Sequence, residues 1–237
     1  MGKKGGDTRV KRQMAPKFWD IQRKQSQFVL SVNAGAHRKA RAYPLGMVLR
    51  DVVKVATTMH EAERILNAGK VGVDGIIRRD PNFAVGLMDI ISFETGHAYR
   101  LVPRESKLLV PIPIEESEKN AKLVRVTSKT TTKGSKVQYG FHDGKSLISD
   151  QNLKVGDTCL MEVPEVKIRN HIAFEKGSVA LIVTGENAGN IGRIEDIQDG
   201  IFSLPKRALV AFTDRSVELP VEMVMVVGVD KPIIKVN

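Results

Sequence analysis

Between Pro44 and Phe93 the spacing of apolar residues changes period, and this change constrains the fold more than any other feature of the chain. Leu45, Val48, Leu49, Val52 and Val53 fall at i, i+3, i+4, i+7 and i+8, the single stripe of an amphipathic helix. Arg50 and Lys54, four residues apart, are expected to share the opposite face. Thr58-x-x-Glu61 predicts a second helix start: in a capping box Thr58 bonds the backbone three residues on and Glu61 reaches back. Gly69 is a natural stop. Beyond it the period falls to two. Val71 and Val73 alternate as a half-buried strand, Asp74-Gly75 is a two-residue hairpin signal, and Arg78 and Arg79 follow the turn. Such a stretch packs two small helices on a few strands.

Charge is as unevenly placed as hydrophobicity. Of a net +10, residues 1–41 hold +9: Lys3, Lys4, Arg9, Lys11, Arg12, Lys17, Arg23, Lys24, Arg38, Lys39 and Arg41 stand against Asp7 and Asp20, leaving +1 for the other 196 residues. A basic arm on a nearly neutral body calls for a polyanion. The opening Met1-Gly2-Lys3-Lys4-Gly5-Gly6 is expected to order only on a partner, and residues 1–43 read as an extended arm. Within it, Lys11, Arg12 and Lys17 flank Phe18-Trp19. The cations suit phosphates, while Trp19 either stacks on a base or docks the arm on the core. No membrane partner is expected. The apolar face of an interfacial helix is missing, no apolar run reaches a membrane span, and no signal-type apolar region follows the N-terminus. Cys159 is the only cysteine, which excludes an intrachain disulfide framework and fits a reducing cytosol.

From Glu94 to about Glu175 the pattern is one of short strands, expected at 99–102, 108–114, 123–127, 137–141, 158–163 and 168–174. Turn clusters His142-Asp143-Gly144-Lys145 and Lys154-Val155-Gly156-Asp157 separate them, the spacing of a small barrel or sandwich. Residues 128–136 are expected to be a mobile hairpin tip. Past Glu175, Gly177, Gly185, Gly189 and Gly192 punctuate strands at 179–183 and 193–197, where glycine permits positive φ and close backbone approach. Strands at 209–212, 216–219 and 225–229, with a turn at Thr213-Asp214, would complete a barrel. The fold class is α+β and multidomain: arm 1–43, helix-pair domain 44–94, central β domain 95–174, and C-terminal barrel with tail 175–237.

Residue patterns for catalysis are weak. His37, His60, His97, His142 and His171 are scattered, without metal-ligand spacing. Gly185-Glu186-Asn187-Ala188-Gly189 is followed by strand rather than helix, unlike a dinucleotide loop. Asp89 precedes a strand, the place of a turn bond, and no nucleophile elbow occurs. No metal, cofactor or small-molecule substrate is expected.

Residues 44–93 resemble the small helix-pair RNA-binding domain named after bacterial ribosomal protein S-four. That domain has two helices, a Gly, a Val-x-Val strand, a turn and a final Gly-x-x-Asp-x-Ile element, here Gly86-Leu87-Met88-Asp89-Ile90-Ile91. Most members open the second helix with Ser-Arg, whose Arg contacts RNA; Thr58-Met59 stands there instead, so Arg64 or the Arg50/Lys54 face is expected to substitute. The glycines at 177–192 resemble the KOW motif, an SH3-like barrel hairpin. A Lys commonly precedes the second loop Gly, but this chain has Ala188, with Glu186 nearby, so a structural or protein-facing loop is as well supported as a phosphate-binding one.

The order of these features, from Ala15-Pro16-Lys17-Phe18-Trp19 to Phe174-Glu175-Lys176-Gly177 and Val183-Thr184-Gly185, is similar to the S-four-e family of archaeal and eukaryotic small-subunit ribosomal proteins. The compact length fits the archaeal members. The resemblance implies a cytoplasmic structural constituent of the small subunit, bound to ribosomal RNA and neighbouring ribosomal proteins, without catalysis. Two alternatives are an RNA-modifying enzyme of pseudouridine-synthase type and a free KOW-type transcription or translation factor. Neutralising roughly eight phosphates would give a slope of log K against log salt of about −6 to −7. Deleting residues 1–41 is expected to remove most of that slope and leave the body folded.

Overall fold

The computed structural model describes residues 9–19, 21, 24, 26–104, 107–134, 136–212 and 215–236. The predicted RNA contacts Lys3, Lys4 and Arg23, and the Thr213-Asp214 turn, lie outside the described residues. The chain is mostly β with two short helices, and it divides into two units: residues 1–101 with 109–119, and residues 102–108 with 120–237.

In the first unit the helical stripe forms as its spacing requires. Leu45, Val48 and Leu49 are buried, Val52 and Val53 half-buried. The helix starts as a single α turn, Leu45–Met47, and widens into a π turn, Val48–Val52, with the Val53 N–H donating to the Val48 carbonyl at 2.8 Å. That corrects the expected Arg50/Lys54 face. The helix ends at Val52, and Lys54 lies beyond it with φ of 61°, so the two cations are not one helical turn apart. The second helix, Met59–Asn67, is capped by Thr58, whose Oγ1 accepts from Glu61 N at 3.2 Å. The Glu61 carboxylate reaches one residue further back than a reciprocal box, accepting from Thr57 N at 2.8 Å and Thr57 Oγ1 at 2.9 Å. The helix ends in a Schellman arrangement, Gly69 N to Leu66 O at 2.9 Å and Lys70 N to Ile65 O at 3.3 Å.

Strand Val71–Val73 turns through Asp74 (φ 51°) and Gly75 (φ 76°) into Ile76–Ile77, the primed turn its dipeptide predicts. Its other edge pairs with Ile90–Phe93, which pairs with Ala98–Arg104, and Lys107–Pro113 closes a five-stranded sheet. The sheet that carries the helix pair therefore takes in strands beyond residue 94. Arg100, fully buried, is paired with Glu118 at 2.5 Å in this unit.

From Arg9 onward the N-terminal segment is built into this unit, which corrects the expectation of an extended arm with few core residues. Arg9–Lys11 pairs antiparallel with Phe28–Leu30, and Val10, Trp19, Val29, Val32, Ala42 and Tyr43 are buried. Alternation explains the ribbon: Val10 and Val29 face inward as a cross-strand pair, while Arg9 and Lys11 face out.

The second unit holds two antiparallel five-stranded sheets. In the first, the order is Ser146–Ile148, Val137–Phe141, Ala121–Thr131, Thr158–Glu162 and Lys167–Ile172, around a core of Val124, Val126, Tyr139, Phe141, Leu153, Cys159 and Met161. The turns at 142–145 and 154–157 form where glycine and aspartate predicted them, with Gly144 N bonding Phe141 O at 3.2 Å and Asp157 Oδ2 accepting from Lys154 N at 2.9 Å. Residues 128–131 are not part of a mobile tip: the strand runs to Thr131, and Lys129 Nζ donates to Asn152 Oδ1 at 3.0 Å and Leu153 O at 3.2 Å. The last sheet is a meander in the order Ser216–Pro220, Arg207–Ala211, Ile191–Gln198, Val179–Ile182 and Val224–Gly228. One buried ion pair was not foreseen: Lys122 Nζ lies 3.1 Å from Asp143 Oδ2, both side chains closed to solvent. Burial alone would raise the Asp143 pKa, but the charges of Lys122, His142 and Lys145 outweigh it and hold the carboxyl below the usual aspartate range.

Candidate nucleic-acid interface

A cation already paired with a carboxylate has less to give a phosphate, because the existing pair must be broken or shared. The informative residues are exposed cations without acidic partners. In the first unit Arg9, Lys11, Lys17, Lys24, Arg38, Lys39, Arg41, Lys54, Arg64 and Arg79 are exposed, and none pairs with a carboxylate among the described residues. Arg9 and Lys11 project from the outer side of the ribbon, and Lys39 and Arg41 from a single 3-10 turn, Lys39–Arg41. Arg64 sits on the exposed side of the second helix, away from buried Ala62 and Leu66.

Three predicted contacts are otherwise engaged. Arg12 Nη2 donates to Ile21 O at 2.8 Å. Arg50 is held by Asp51 through Nε at 2.7 Å and Nη2 at 2.8 Å, a bond that raises its pKa. The Arg78 guanidinium lies 4.4 Å from the Phe83 ring centroid.

Trp19 is a correction. It is 3% exposed, its Nε1 donates to Ala42 O at 2.9 Å, and its ring stacks on Tyr43 at 6.3 Å and 23°. Tyr43 in turn donates to Phe18 O at 3.1 Å, with the Phe18 and Tyr43 rings 5.1 Å apart edge to face. With its N–H satisfied and its ring inside the core, Trp19 has no surface to offer a base. Of the two open readings, docking is the one the fold adopts.

The other anchor of the arm is His37, one of the scattered histidines. His37 is buried, and its Nε2 lies 3.0 Å from Asp89 Oδ2, the oxygen that also accepts Gly86 N at 2.8 Å. Asp89 makes the turn bond its position predicts, and it also holds the segment from which Arg38, Lys39 and Arg41 fan out. The available signal was a histidine at the head of a basic cluster in a chain whose Asp89 also needed a partner.

The four loop glycines lie around the hairpin of the last sheet. Gly177, Gly185 and Gly189 have positive φ, and Gly192 sits in the strand Ile191–Gln198. At Gly189, φ is 89° and an added Cβ would stand 2.7 Å from Pro103 O and 2.9 Å from Arg104 Cα. The loop is therefore packed backbone to backbone on its own chain at this point. Several cations of the second unit are tied: Arg169 to Glu162 at 2.5 Å, Lys176 to Asp196 at 2.5 Å, Lys206 to Asp199 at 2.8 Å and Arg207 to Glu218 at 3.2 Å. Arg104, Lys129, Lys133, Lys136, Lys154, Arg215 and Lys231 are its exposed cations without a carboxylate partner among the described residues.

Three family models match in succession: the RS4NT domain at residues 4–40, the S4 domain at 48–91 and Ribosomal family S4e at 95–168. Among similar proteins, the small ribosomal subunit protein eS4 of Aeropyrum pernix is 36% identical over 99% of this chain and 97% of its own length. That of Pyrobaculum islandicum is 38% identical over 96% and 98%. That of Korarchaeum cryptofilum is 37% identical over the whole of both chains. The crystal structure of the 30S ribosomal protein S4e from Thermoplasma acidophilum superimposes with a TM-score of 0.69 at 33% identity, covering 79% of this chain and 95% of that one. On that footing, and with the order of elements its residues dictate, the chain belongs to the S4e family of ribosomal proteins.

Proposed function

We infer that this chain is a structural constituent of the small ribosomal subunit in the cytoplasm, and that it grips ribosomal RNA with its N-terminal segment and helix pair. The carrying observation is the placement of charge: among the described residues ten exposed cations without acidic partners lie within residues 9–79, against seven in the larger second unit, where about half of the cations are paired with carboxylates. Lys and Arg of the first unit neutralise phosphates; the ribbon, Trp19 and His37 hold them in register. The second unit braces neighbouring RNA or ribosomal proteins. Its last sheet serves as a KOW-type barrel whose loop at Gly189 supports the fold rather than binding phosphate.

The test is equilibrium binding of the full chain to transcribed small-subunit ribosomal RNA across a salt series. Arg38→Gln, Lys39→Gln and Arg41→Gln together should make the slope of log K against log salt shallower by roughly 2–3. A control combining Arg169→Gln and Lys176→Gln, both ion-paired, should leave it unchanged. Equal effects of the two sets would refute the assignment.

A further inference from the structure

Where the ribbon meets the helix pair, Arg9, Ser26, Phe28, Val29, Leu30, Met47, Arg50 and Met59 line a groove of about 270 Å³. The strand register builds it. Lys11 stands opposite Phe28 and Arg9 opposite Leu30, so cations and apolar side chains share the outer side of the ribbon. Close approach to the helices depends on Gly46, where an added Cβ would lie 3.0 Å from Met59 Sδ and 3.1 Å from Leu30 Cδ1. Phe28 is 47% exposed beside this apolar floor. Arg9 and Arg50 stand among the lining residues. Arg50 is fixed by Asp51 through Nε and Nη2, so its guanidinium is set in orientation before any ligand arrives.

We propose that this groove takes one unstacked nucleobase of RNA, with Phe28 as the stacking surface, Met47 and Met59 as its apolar bed, and Arg9 and Lys11 on the adjoining phosphates. The groove is smaller than the roughly 300–1,000 Å³ of pockets for drug-sized ligands, and it suits a single base rather than a helix. Its chemistry is that of single-strand recognition: an aromatic and soft apolar side chains bordered by cations. A protein side chain would also find an apolar bed here, but a site flanked by Arg9 and Lys11, neither paired with a carboxylate among the described residues, favours an anionic ligand. The inference rests on the RNA-binding reading above and names a subsite within it.

The experiment uses the full chain with methionine methyl groups labelled for NMR, together with RNA-binding measurements. A single-stranded oligoadenylate should shift the Met47 and Met59 methyls, and a blunt RNA duplex should not. Phe28→Ala should weaken binding to small-subunit ribosomal RNA by roughly 5- to 150-fold, the loss of one stacked base, and leave the salt slope as it was. Phe28→Tyr should restore it; Phe28→Leu, of similar bulk without the aromatic face, should not. Trp19 emission checks that each variant is folded. Methyls that respond equally to duplex and single strand, or Phe28→Ala binding as well as the parent with a steep salt slope intact, would overturn the base pocket alone. Absence of any salt-dependent RNA binding would overturn the broader reading as well.

Discussion

Trp19 offers the sharpest test of whether the N-terminal segment is part of the fold or a tether waiting for RNA. Replacing it with alanine removes an indole that is 3% exposed, its 2.9 Å bond to the Ala42 carbonyl and its stack on Tyr43. Trp→Ala in a core costs about 3–5 kcal/mol. Against a domain stability on the order of 5–15 kcal/mol, that is a large fraction. With an m-value of about 2 kcal/mol/M in urea, the unfolding midpoint of the first unit should fall by roughly 1.5–2.5 M. Trp19→Phe keeps a ring but strands the Ala42 carbonyl, a loss of about 1–3 kcal/mol, and should lie between.

The assay is favourable because Trp19 is the only tryptophan in the chain. In the parent protein its emission reports docking of the segment without interference; it should be blue-shifted and poorly quenched by acrylamide without RNA, and change with urea at the first unit's transition. Far-UV circular dichroism gives the midpoints of the variants. A Trp19→Ala midpoint within about 0.5 M of the parent, or a fully hydrated indole emission in the free protein, would refute the reasoning. The same logic reverses the expectation for deletion of residues 1–41: the truncated chain should lose the fold of its first unit, not only its charge.

Four further outcomes follow from the second unit. Lys122→Met leaves Asp143 buried without its closest cation and should cost about 3–5 kcal/mol by urea denaturation, with Asp143→Leu added in the double variant recovering most of it. Because the folded Asp143 pKa is depressed, its contribution is complete above the unfolded aspartate pKa of about 3.9 and lost as pH falls through the lower folded value; acid titration of the parent and double variant should diverge there. Gly189→Ala places a Cβ 2.7 Å from Pro103 O at a φ of 89°, so a loss of at least about 2 kcal/mol should appear in thermal unfolding, whereas no change would mean the loop is free. Burial, reinforced by Asp157, pushes the Cys159 thiol up to about 12, so alkylation by iodoacetamide at neutral pH should track unfolding and not proceed in the native protein.

How much of this was legible depended on whether the signal was local. The stripe at Leu45 to Val53, the Thr58 cap, the Gly69 stop and the Asp74-Gly75 turn are written within a few residues, and each forms. The strands of the second unit were placed closely for the same reason, since period-two alternation and turn glycines act over short range. Three features were not legible. The π turn at Val48–Val52 moved Lys54 off the expected face, a consequence of how the helix terminates rather than of its periodicity. The burial of Trp19 and His37 requires knowing what lies 23 and 52 residues away, at Ala42 and Asp89. The burial of Lys122 likewise depends on a carboxylate 21 residues away, at Asp143. Composition located the charge, and only the fold decided which charges were spent internally.

That division of charge has an energetic consequence for assembly. A cationic arm that orders only on its RNA meets the ordering cost at the moment of binding, and its affinity falls accordingly. Here the ribbon Arg9–Lys11 with Phe28–Leu30, the Trp19 stack and the His37–Asp89 contact fix the backbone beneath Arg9, Lys11, Arg38, Lys39 and Arg41 beforehand. The cost of ordering is then met in folding, where buried apolar area offsets it, and each phosphate contact proposed above would be made by a side chain on a framework already in place. Trp19→Ala should consequently weaken RNA binding although it removes no charge, and it should do so without changing the number of counterions released. A lower affinity at an unchanged salt slope is the signature of lost preorganisation; a shallower slope would mean instead that the segment's cations had left the RNA.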